Sequence, residues 1–422
     1  MGSEINLTQN LSETLFKPRR QGLETSLISN SGCPLPELLP QAQAIFGFNE
    51  HWYRPLNRFY WTWLGGNLLD IEEALSHIAS SQNSRTRPTC LDTVEEYGPG
   101  NWIYEFNTIA QKRVQQAGEC EDNERKAHHY RMASRYFAIA AYPYLKGDTL
   151  AQQAALLCRR YYRAIFEAST TCGYYSEETF TFQGHKITAY LHSPDNTAVH
   201  PCVLVLGSYE QSCTDFFRFF NDYLRPRGIA IMVLEMPGQG NCASLKLEPQ
   251  SSDYLKSAIE HLQALPFIDG TNLGFYARGV AALAAMRLCL LEPQLIKAAV
   301  LVNPLIDRLY MDEQALLSIP LCLRSSFANR LDLDASHWDT LIPQAQILSL
   351  KKQGLLTGGV RAKPAILCLD AREMKLSSED VKLIERSFKD VTTLAISSGG
   401  FNAGSLTMLN EVCKFFVKHF VI

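Results

Sequence analysis

The strongest constraint on this chain is a series of short apolar runs, separated by helical patterns, in its C-terminal part. A strand that is buried on both faces is apolar throughout, and such strands occur in parallel sheets that helices cover on both sides. The sequence therefore predicts an α/β fold with a mostly parallel sheet and helices on both faces. The predicted strands are Cys202–Leu206, Ala230–Leu234, Leu273–Tyr276, Ala298–Val302, Ala365–Leu369 and Thr392–Ile396.

Two further patterns extend this predicted sheet domain. Apolar and polar residues alternate from Glu178 to His192 around Gly184, which indicates a β-hairpin. Helical periodicity from about residue 307 to residue 359 interrupts the strands. We expect this stretch to be an insertion over the carboxyl edge of the sheet, where ligands bind in such folds.

The N-terminal part has a helical pattern instead. Between about residues 50 and 170 apolar residues recur at spacings of three and four, as in Tyr53, Leu56 and Tyr60, and turn signals are sparse. We therefore predict an N-terminal arm and an all-helical domain over residues 1–172, followed by the sheet domain over residues 173–422.

The composition excludes several classes of partner. The net charge is −3 with both signs interspersed, whereas a nucleic-acid binder shows clustered basic residues. The most apolar stretch, Gly279–Leu291, contains Arg287 and is too short to span a bilayer, so we expect no membrane segment. Neither a phosphate-binding loop nor a cluster of metal ligands is visible, so we expect no cofactor and no metal.

The sequence also indicates a compartment. Residues 1–10 are polar and lack the apolar region of a secretory signal. The 12 cysteines are scattered without a C-x-x-C pair, which indicates reduced thiols and not a disulfide framework. We therefore expect a cytoplasmic protein.

One predicted strand leads into a turn with a specific chemical meaning. In α/β-hydrolases the nucleophile is the centre of G-x-S-x-G, on a sharp turn between a strand and a helix. Here the strand ending at Tyr276 continues as Ala277-Arg278-Gly279-Val280-Ala281 and then into a helical pattern. The central residue, Gly279, has no side chain, and neither Arg278 nor Val280 is a nucleophile. The sequence thus predicts an α/β-hydrolase fold whose elbow has no nucleophile.

The other two positions of a catalytic triad are also incomplete. The acid normally follows the next-to-last strand, where Glu373 is available. The histidine normally follows the last strand, but residues 397–404 contain none. The later His419 lies in a helical run, Asn410–Val421, and we expect it to face solvent. A serine hydroxyl would have no general base near neutral pH.

The loop after the first parallel strand supplies oxyanion-hole amides in this fold. Its residues include Ser208, Tyr209 and Glu210, and the backbone amides survive the loss of a triad. A buried Glu210 would have a raised pKa and could act as an acid or base. Alternatively, these residues cap the helix that begins near Thr214. The turn Glu235–Gly240 is expected to border the same pocket in a structural role.

The sequence resembles the FrsA family, the fermentation–respiration switch proteins. The resemblance covers nearly the whole chain. The segments that carry it at the front are Asn10–Arg19, His51–Arg54, Leu91–Val94, Gly100–Glu105 and Tyr142–Asp148, and those further on are Thr214-Asp215, Arg227–Ala230, Met236-Pro237, Asn329–Leu331, Ser349–Lys351 and Gln353-Gly354.

The resemblance implies a helical domain on an α/β-hydrolase domain, with carboxylesterase activity on small esters and a small ester or carboxylate as the ligand. A cofactor-free decarboxylase activity and binding of the unphosphorylated glucose-specific IIA protein of the phosphotransferase system are also linked to the family. The family elbow reads G-F-R-F-G, so Gly279 stands where the family has arginine. Glu210 stands for a family aspartate, and the family's late acid falls on Glu373.

Three functions stay open at this point. An esterase would need an unusual nucleophile, such as Ser208 or a water activated near Glu210. A regulatory or binding protein would keep the fold and pocket without chemistry, and the residues alone favour this hypothesis. A decarboxylase would need a cationic anchor for a carboxylate, for which Arg278 is the local candidate.

Overall fold

The predicted strands form one eight-stranded sheet in the order β1-β2-β4-β3-β5-β6-β7-β8. The computed structural model describes residues 51–208, 211–319, 321–333, 338–356, 364–371, 375–396 and 401–420. The first two strands are an antiparallel hairpin that joins β4, and the other neighbours are parallel. The strands are β1 Tyr174–Phe182, β2 His185–Ser193, β3 His200–Leu206, β4 Ala230–Leu234, β5 Ile268–Arg278, β6 Ala298–Val302, β7 Ala365–Ala371 and β8 Val391–Ile396.

Both faces of the sheet are buried, as the continuous apolar runs predict. On one face Leu204, Phe275 and other strand residues pack in the larger core cluster with the helices α6 (Asp253–Gln263), α7 (Ala282–Leu291) and α12 (Lys375–Ser387). On the other face Val203 and Val205 pack with the last helix, α13 (Phe401–His419). Alternate strand residues point to opposite faces, so each run is apolar at every position. The predicted fold class is confirmed.

Within residues 51–173, five helices precede the sheet and share a core of their own around Trp61, Trp102, Phe106 and Tyr136. Four of them begin at an Asn or Asp whose side chain accepts a backbone N–H of the first turn, a favourable N-cap. The helices are α1 Arg58–Trp63, α2 Leu68–Ser80, α3 Trp102–Glu119, α4 Asn123–Ala141 and α5 Thr149–Ala168.

Two helix starts differ from the prediction. The first helix of the described residues begins at Arg58, so Tyr53 and Leu56, which belong to the predicted helical pattern, precede it. The last helix begins at Phe401 and not near Asn410, and it passes through Gly404. A glycine in a helix costs about 1 kcal/mol, but burial of residues such as Val412 and Phe416 outweighs that cost.

Short helices lie between β6 and β7, within the stretch predicted to be an insertion. They are α8 Arg308–Met311, α9 Glu313–Ser318, α10 Leu321–Arg330 and α11 Trp338–Gln346. Asn329 of α10 exchanges two hydrogen bonds with the backbone of Lys146, which follows α4. These contacts connect the inserted helices to the N-terminal helices within one compact unit.

The thiols of the described cysteines are free, and most are buried. None of the helices in the described parts of the chain has the length and hydropathy needed to cross a membrane.

Candidate functional site

The turn that joins β5 to α7 is tight and passes through a left-handed residue. Gly279 has φ +57°, in the left-handed region that residues with a side chain rarely adopt. A nucleophile elbow is a strained turn of this kind between a strand and a helix. Of the atoms in the described residues, only Ser208 Oγ, 3.7 Å away, would lie within 4 Å of a Cβ added to Gly279. The turn therefore leaves room for a side chain that the sequence does not supply.

Ser208 is the residue that the fold brings to the elbow. It follows β3 and is buried. Its backbone N–H, one of the amides predicted to line an oxyanion hole, donates to Gln211 Oε1 at 3.0 Å. No histidine makes a hydrogen bond to Ser208 among the residues that the structure describes. The helix cap is supplied by Ser212, whose Oγ accepts the Thr214 N–H.

Tyr209 and Glu210, the other predicted residues of this loop, lie outside the described residues. So does Glu373, the predicted late acid. Near it, Asp370 at the end of β7 is buried and accepts hydrogen bonds from Ser377 Oγ at 3.0 Å and Ser378 Oγ at 2.6 Å. Those bonds tie the strand to α12.

The later histidine is not solvent-facing as expected. His419 lies in the last turn of α13, is half-buried, and places its ring 4.5 Å from that of Phe415. Burial lowers its pKa. It therefore packs on an aromatic ring at the end of the last helix.

Tyr60 of α1 extends the network that starts at Ser208. Its hydroxyl accepts from Gln211 Nε2 at 2.9 Å and donates to Asp215 Oδ2 at 3.4 Å. Burial and the charge of Asp215 raise the pKa of Tyr60, whereas the positive charge of Arg278 opposes them. Arg278 of the elbow thus lies close to a neutral phenol from the N-terminal helices.

A buried ion pair completes this network. Arg135 Nη1 of α4 donates to Asp215 Oδ1 at 2.7 Å, and both side chains are almost fully buried. Burial raises the pKa of Asp215 against the effect of the guanidinium, and Asp215 in turn raises the pKa of Arg135 against its own burial. We assign both groups as ionised, because a guanidinium does not lose its proton in a protein and would otherwise be uncompensated.

A cavity of about 210 Å³ lies beside this network, between α5 and the loop that follows β4. The loop contains the turn Glu235–Gly240, which the sequence predicts to border the pocket of the Ser208 loop, whereas the cavity that it lines does not include Ser208. Burial raises the pKa of Glu235, while the charge of Arg159 on α5 opposes that effect. Neither Gly279 nor Ser208 lines this cavity, so it is separate from the elbow.

Sequence reasoning missed the contributions of the helical region, namely Tyr60, Arg135 and Arg159. Their partners lie far along the chain, and no local spacing connects them. One signal was available for Arg159: Ala151, Ala155 and Arg159 recur every four residues, which places two small side chains and a cation on one face of a helix.

Comparisons with known proteins agree with the geometry. A family model described as Esterase FrsA-like matches residues 6–420. An Esterase FrsA of Klebsiella pneumoniae is 34% identical over 393 residues, covering 90% of this chain and 94% of that protein. An Esterase FrsA of Yersinia pestis is 35% identical over 395 residues, covering 92% of this chain and 94% of that protein.

A solved structure shows the same fold at low sequence identity. The 2,6-dihydroxy-pseudo-oxynicotine hydrolase superposes with a TM-score of 0.68 at 16% identity, covering 86% of this chain and 96% of that chain. The helical region and the sheet are therefore both within the shared architecture.

Proposed function

Because the chain belongs to the Esterase FrsA-like family, we propose that it binds a small ester or carboxylate but does not hydrolyse esters through an elbow nucleophile. The observation that carries this proposal is Gly279, which occupies the turn after β5 with φ +57° and presents no hydroxyl, thiol or carboxylate. The fold and the elbow turn are retained, whereas the attacking group is absent from that turn.

The remaining groups near the elbow do not replace a triad. Ser208 Oγ is close to Gly279, but a serine needs a base to accept its proton. The backbone amide of Ser208 is already bonded to the Gln211 side chain. Enzymes that lose their triad keep roughly 10³–10⁴-fold catalysis through oxyanion amides and binding. Because the Gln211 side chain occupies one such amide here, we expect no residual hydrolysis above the rate of buffer alone.

The competing hypothesis is an esterase with a different nucleophile. The family resemblance suggests the esterase activity, and the residues of this chain offer Ser208 itself, or a water activated by Glu210, as the nucleophile. Its distinguishing consequence is that removal of one of these side chains abolishes turnover.

The test is hydrolysis of a short-chain aryl ester by the purified chain. We expect the rate of buffer alone for the wild type and for Ser208→Ala and Glu210→Ala. Gly279→Ser, which returns a hydroxyl to the elbow, should also stay at background because residues 397–404 supply no imidazole. Turnover by the wild type above buffer would overturn the proposal, and its loss in either alanine variant would identify the nucleophilic route.

Gly279→Ser needs a folding control. A side chain at this φ costs about 1–2 kcal/mol, but the open space around the added Cβ leaves no other penalty. Circular dichroism and the urea midpoint should therefore show a folded and modestly destabilised protein. Binding of the glucose-specific IIA protein stays a prediction of the family resemblance.

A further inference from the structure

We propose that the cavity between α5 and the loop after β4 is a site for a small monocarboxylate, which Arg159 binds through its guanidinium. This inference rests on the binding function proposed above and names its site. It does not depend on the absence of turnover at the elbow.

Three parts of the chain enclose the cavity. The α5 face provides Ala151, Ala155 and Arg159, and the opposite wall is formed by Ser212 and the Glu235–Gly240 loop. Tyr144 to Lys146 close the third side. At about 210 Å³ the cavity is smaller than the roughly 300–1,000 Å³ of sites for drug-sized ligands. Its dimensions fit a compact metabolite, and its alanine wall fits a short aliphatic chain.

Arg159 supplies a positive charge that the surrounding protein does not neutralise by direct contact. Its guanidinium makes no hydrogen bond or ion pair with the residues that the structure describes. The other cationic residue among those that line the cavity, Lys146, forms an ion pair with Asp332 at 2.6 Å. Burial opposes the charge on Arg159, but the nearby Glu235 raises its pKa, so the group stays protonated. A guanidinium binds a carboxylate through two parallel hydrogen bonds.

Glu235 faces the same cavity but is committed to other partners. Its Oε2 accepts the Asn241 N–H at 2.8 Å, and its carboxylate lies against Gly240, where a Cβ would collide with it. Burial opposes the ionised form of Glu235, but the charge of Arg159 and the Asn241 N–H both stabilise it, so we assign the carboxylate as ionised beside Arg159. One guanidinium compensates one negative charge, so a bound dianion would leave its second charge uncompensated beside Glu235, which favours a monocarboxylate over a phosphate dianion.

The probe is butyrate, titrated into the full-length protein with ligand-observed NMR. We expect saturable binding that Arg159→Met weakens at least about tenfold, since one charge-assisted contact is lost. Arg160→Met is the matched control, because Arg160 is the next residue on α5, is exposed, and does not line the cavity. Its affinity for butyrate should equal that of the wild type.

Two further probes, one neutral and one an inorganic anion, test whether the site selects a monocarboxylate. Butyramide, which has the same shape without the charge, and inorganic phosphate should each bind at least about tenfold more weakly than butyrate. Binding of phosphate in preference to butyrate would overturn the assignment to a monocarboxylate.

A second variant tests the place of binding without changing charge. Ala155→Leu fills the cavity from the α5 wall and should abolish butyrate binding in a folded protein. Absence of saturable butyrate binding in the wild type, or equal binding in the wild type, Arg159→Met and Ala155→Leu, would overturn the site. Such a result would leave the conclusion about the elbow intact. Ester turnover together with Arg159-dependent binding of butyrate would instead overturn the conclusion about the elbow and support the Arg159 site.

Discussion

His192 in β2 is a histidine that the fold keeps neutral. Its side chain is fully buried, with Nε2 3.3 Å from the Tyr162 hydroxyl and its ring 5.1 to 5.4 Å from those of Tyr175, Phe166 and Phe220. Burial lowers its pKa to about 3. An imidazole held in this way contributes packing and not acid–base chemistry.

The protonation of His192 predicts how stability depends on pH. In the unfolded chain the imidazole titrates near pH 6.5, so between about pH 6.5 and 3 the unfolded state binds more protons than the folded state. The free energy of unfolding therefore falls as the pH falls, by about 2 kcal/mol from this group between pH 7 and pH 5. Urea unfolding at both pH values measures the difference.

His192→Phe should remove that share of the pH dependence, because phenylalanine fits the aromatic surroundings and does not titrate. His185→Gln is the control, since His185 is an exposed residue of the same strand. An equal loss of stability on acidification in the wild type and His192→Phe would contradict the assignment.

Single residues also mark the limit of prediction from sequence. The sequence identified Gly279 by its place at the centre of the elbow pattern, and Ser208 by its place in the loop after β3. The structure places these two residues beside each other. The occupation of the Ser208 amide by Gln211 was not predictable, because a side-chain conformation is decided by packing and not by spacing. Arg159 was missed for the related reason that its partners come from another part of the chain.

Among the elements, α4 is joined to the loop after β3 by the ion pair of Arg135 and Asp215. Removing one member of a buried pair leaves the other charge uncompensated and costs about 3–5 kcal/mol. We therefore expect Arg135→Met to lower the free energy of unfolding by that amount. The double variant Arg135→Met/Asp215→Asn should recover part of the loss, because it leaves no buried charge.

An exposed pair on α5 and β1 serves as the control. Arg163 and Glu177 lie 2.7 Å apart, but the Arg163 side chain is 53% exposed. Such pairs contribute about 0–1 kcal/mol, so Arg163→Met should change stability little. If urea unfolding gave similar decreases in the free energy of unfolding for Arg135→Met and Arg163→Met, burial of the ion pair would not explain the cost of breaking it.

The elements themselves were largely predictable. Buried parallel strands must be apolar at every position, so β4 and β6 match the predicted ranges and the other parallel strands differ only at their ends. β5 begins at Ile268 and not at Leu273, because Ile268 pairs with His200 of β3 before an irregularity in the register, after which Leu273 pairs with Cys202. The last helix was predicted too short because its glycine-rich start has the composition of a loop.

At the scale of the whole molecule, Arg330 connects parts of the chain that are distant in sequence. It is fully buried in α10 and donates to the Gly238 carbonyl at 3.1 Å and the Pro143 carbonyl at 3.3 Å. One side chain thus links the inserted helices, the loop after β4 and the segment after α4. The N-terminal helices should not unfold independently of the sheet.

Two probes test this coupling during urea unfolding. Tryptophan fluorescence reports mainly the N-terminal helices, because only Trp338 follows the sheet hairpin in the sequence. Labelling of the buried thiols Cys202 and Cys368 reports the strands β3 and β7. We expect coincident midpoints, both shifted to lower urea by Arg330→Met. Separate midpoints for the wild type would show two independent folding units.

The bond between the Ser208 N–H and the Gln211 side chain has a consequence for any ester that reaches the elbow. The glutamine amide is tethered three residues away, and a short tether gives an effective concentration on the order of millimolar. An incoming carbonyl must displace this built-in competitor, which cannot diffuse away. In this loop the Gln211 side chain therefore blocks the backbone amide that would polarise an ester carbonyl in an active hydrolase.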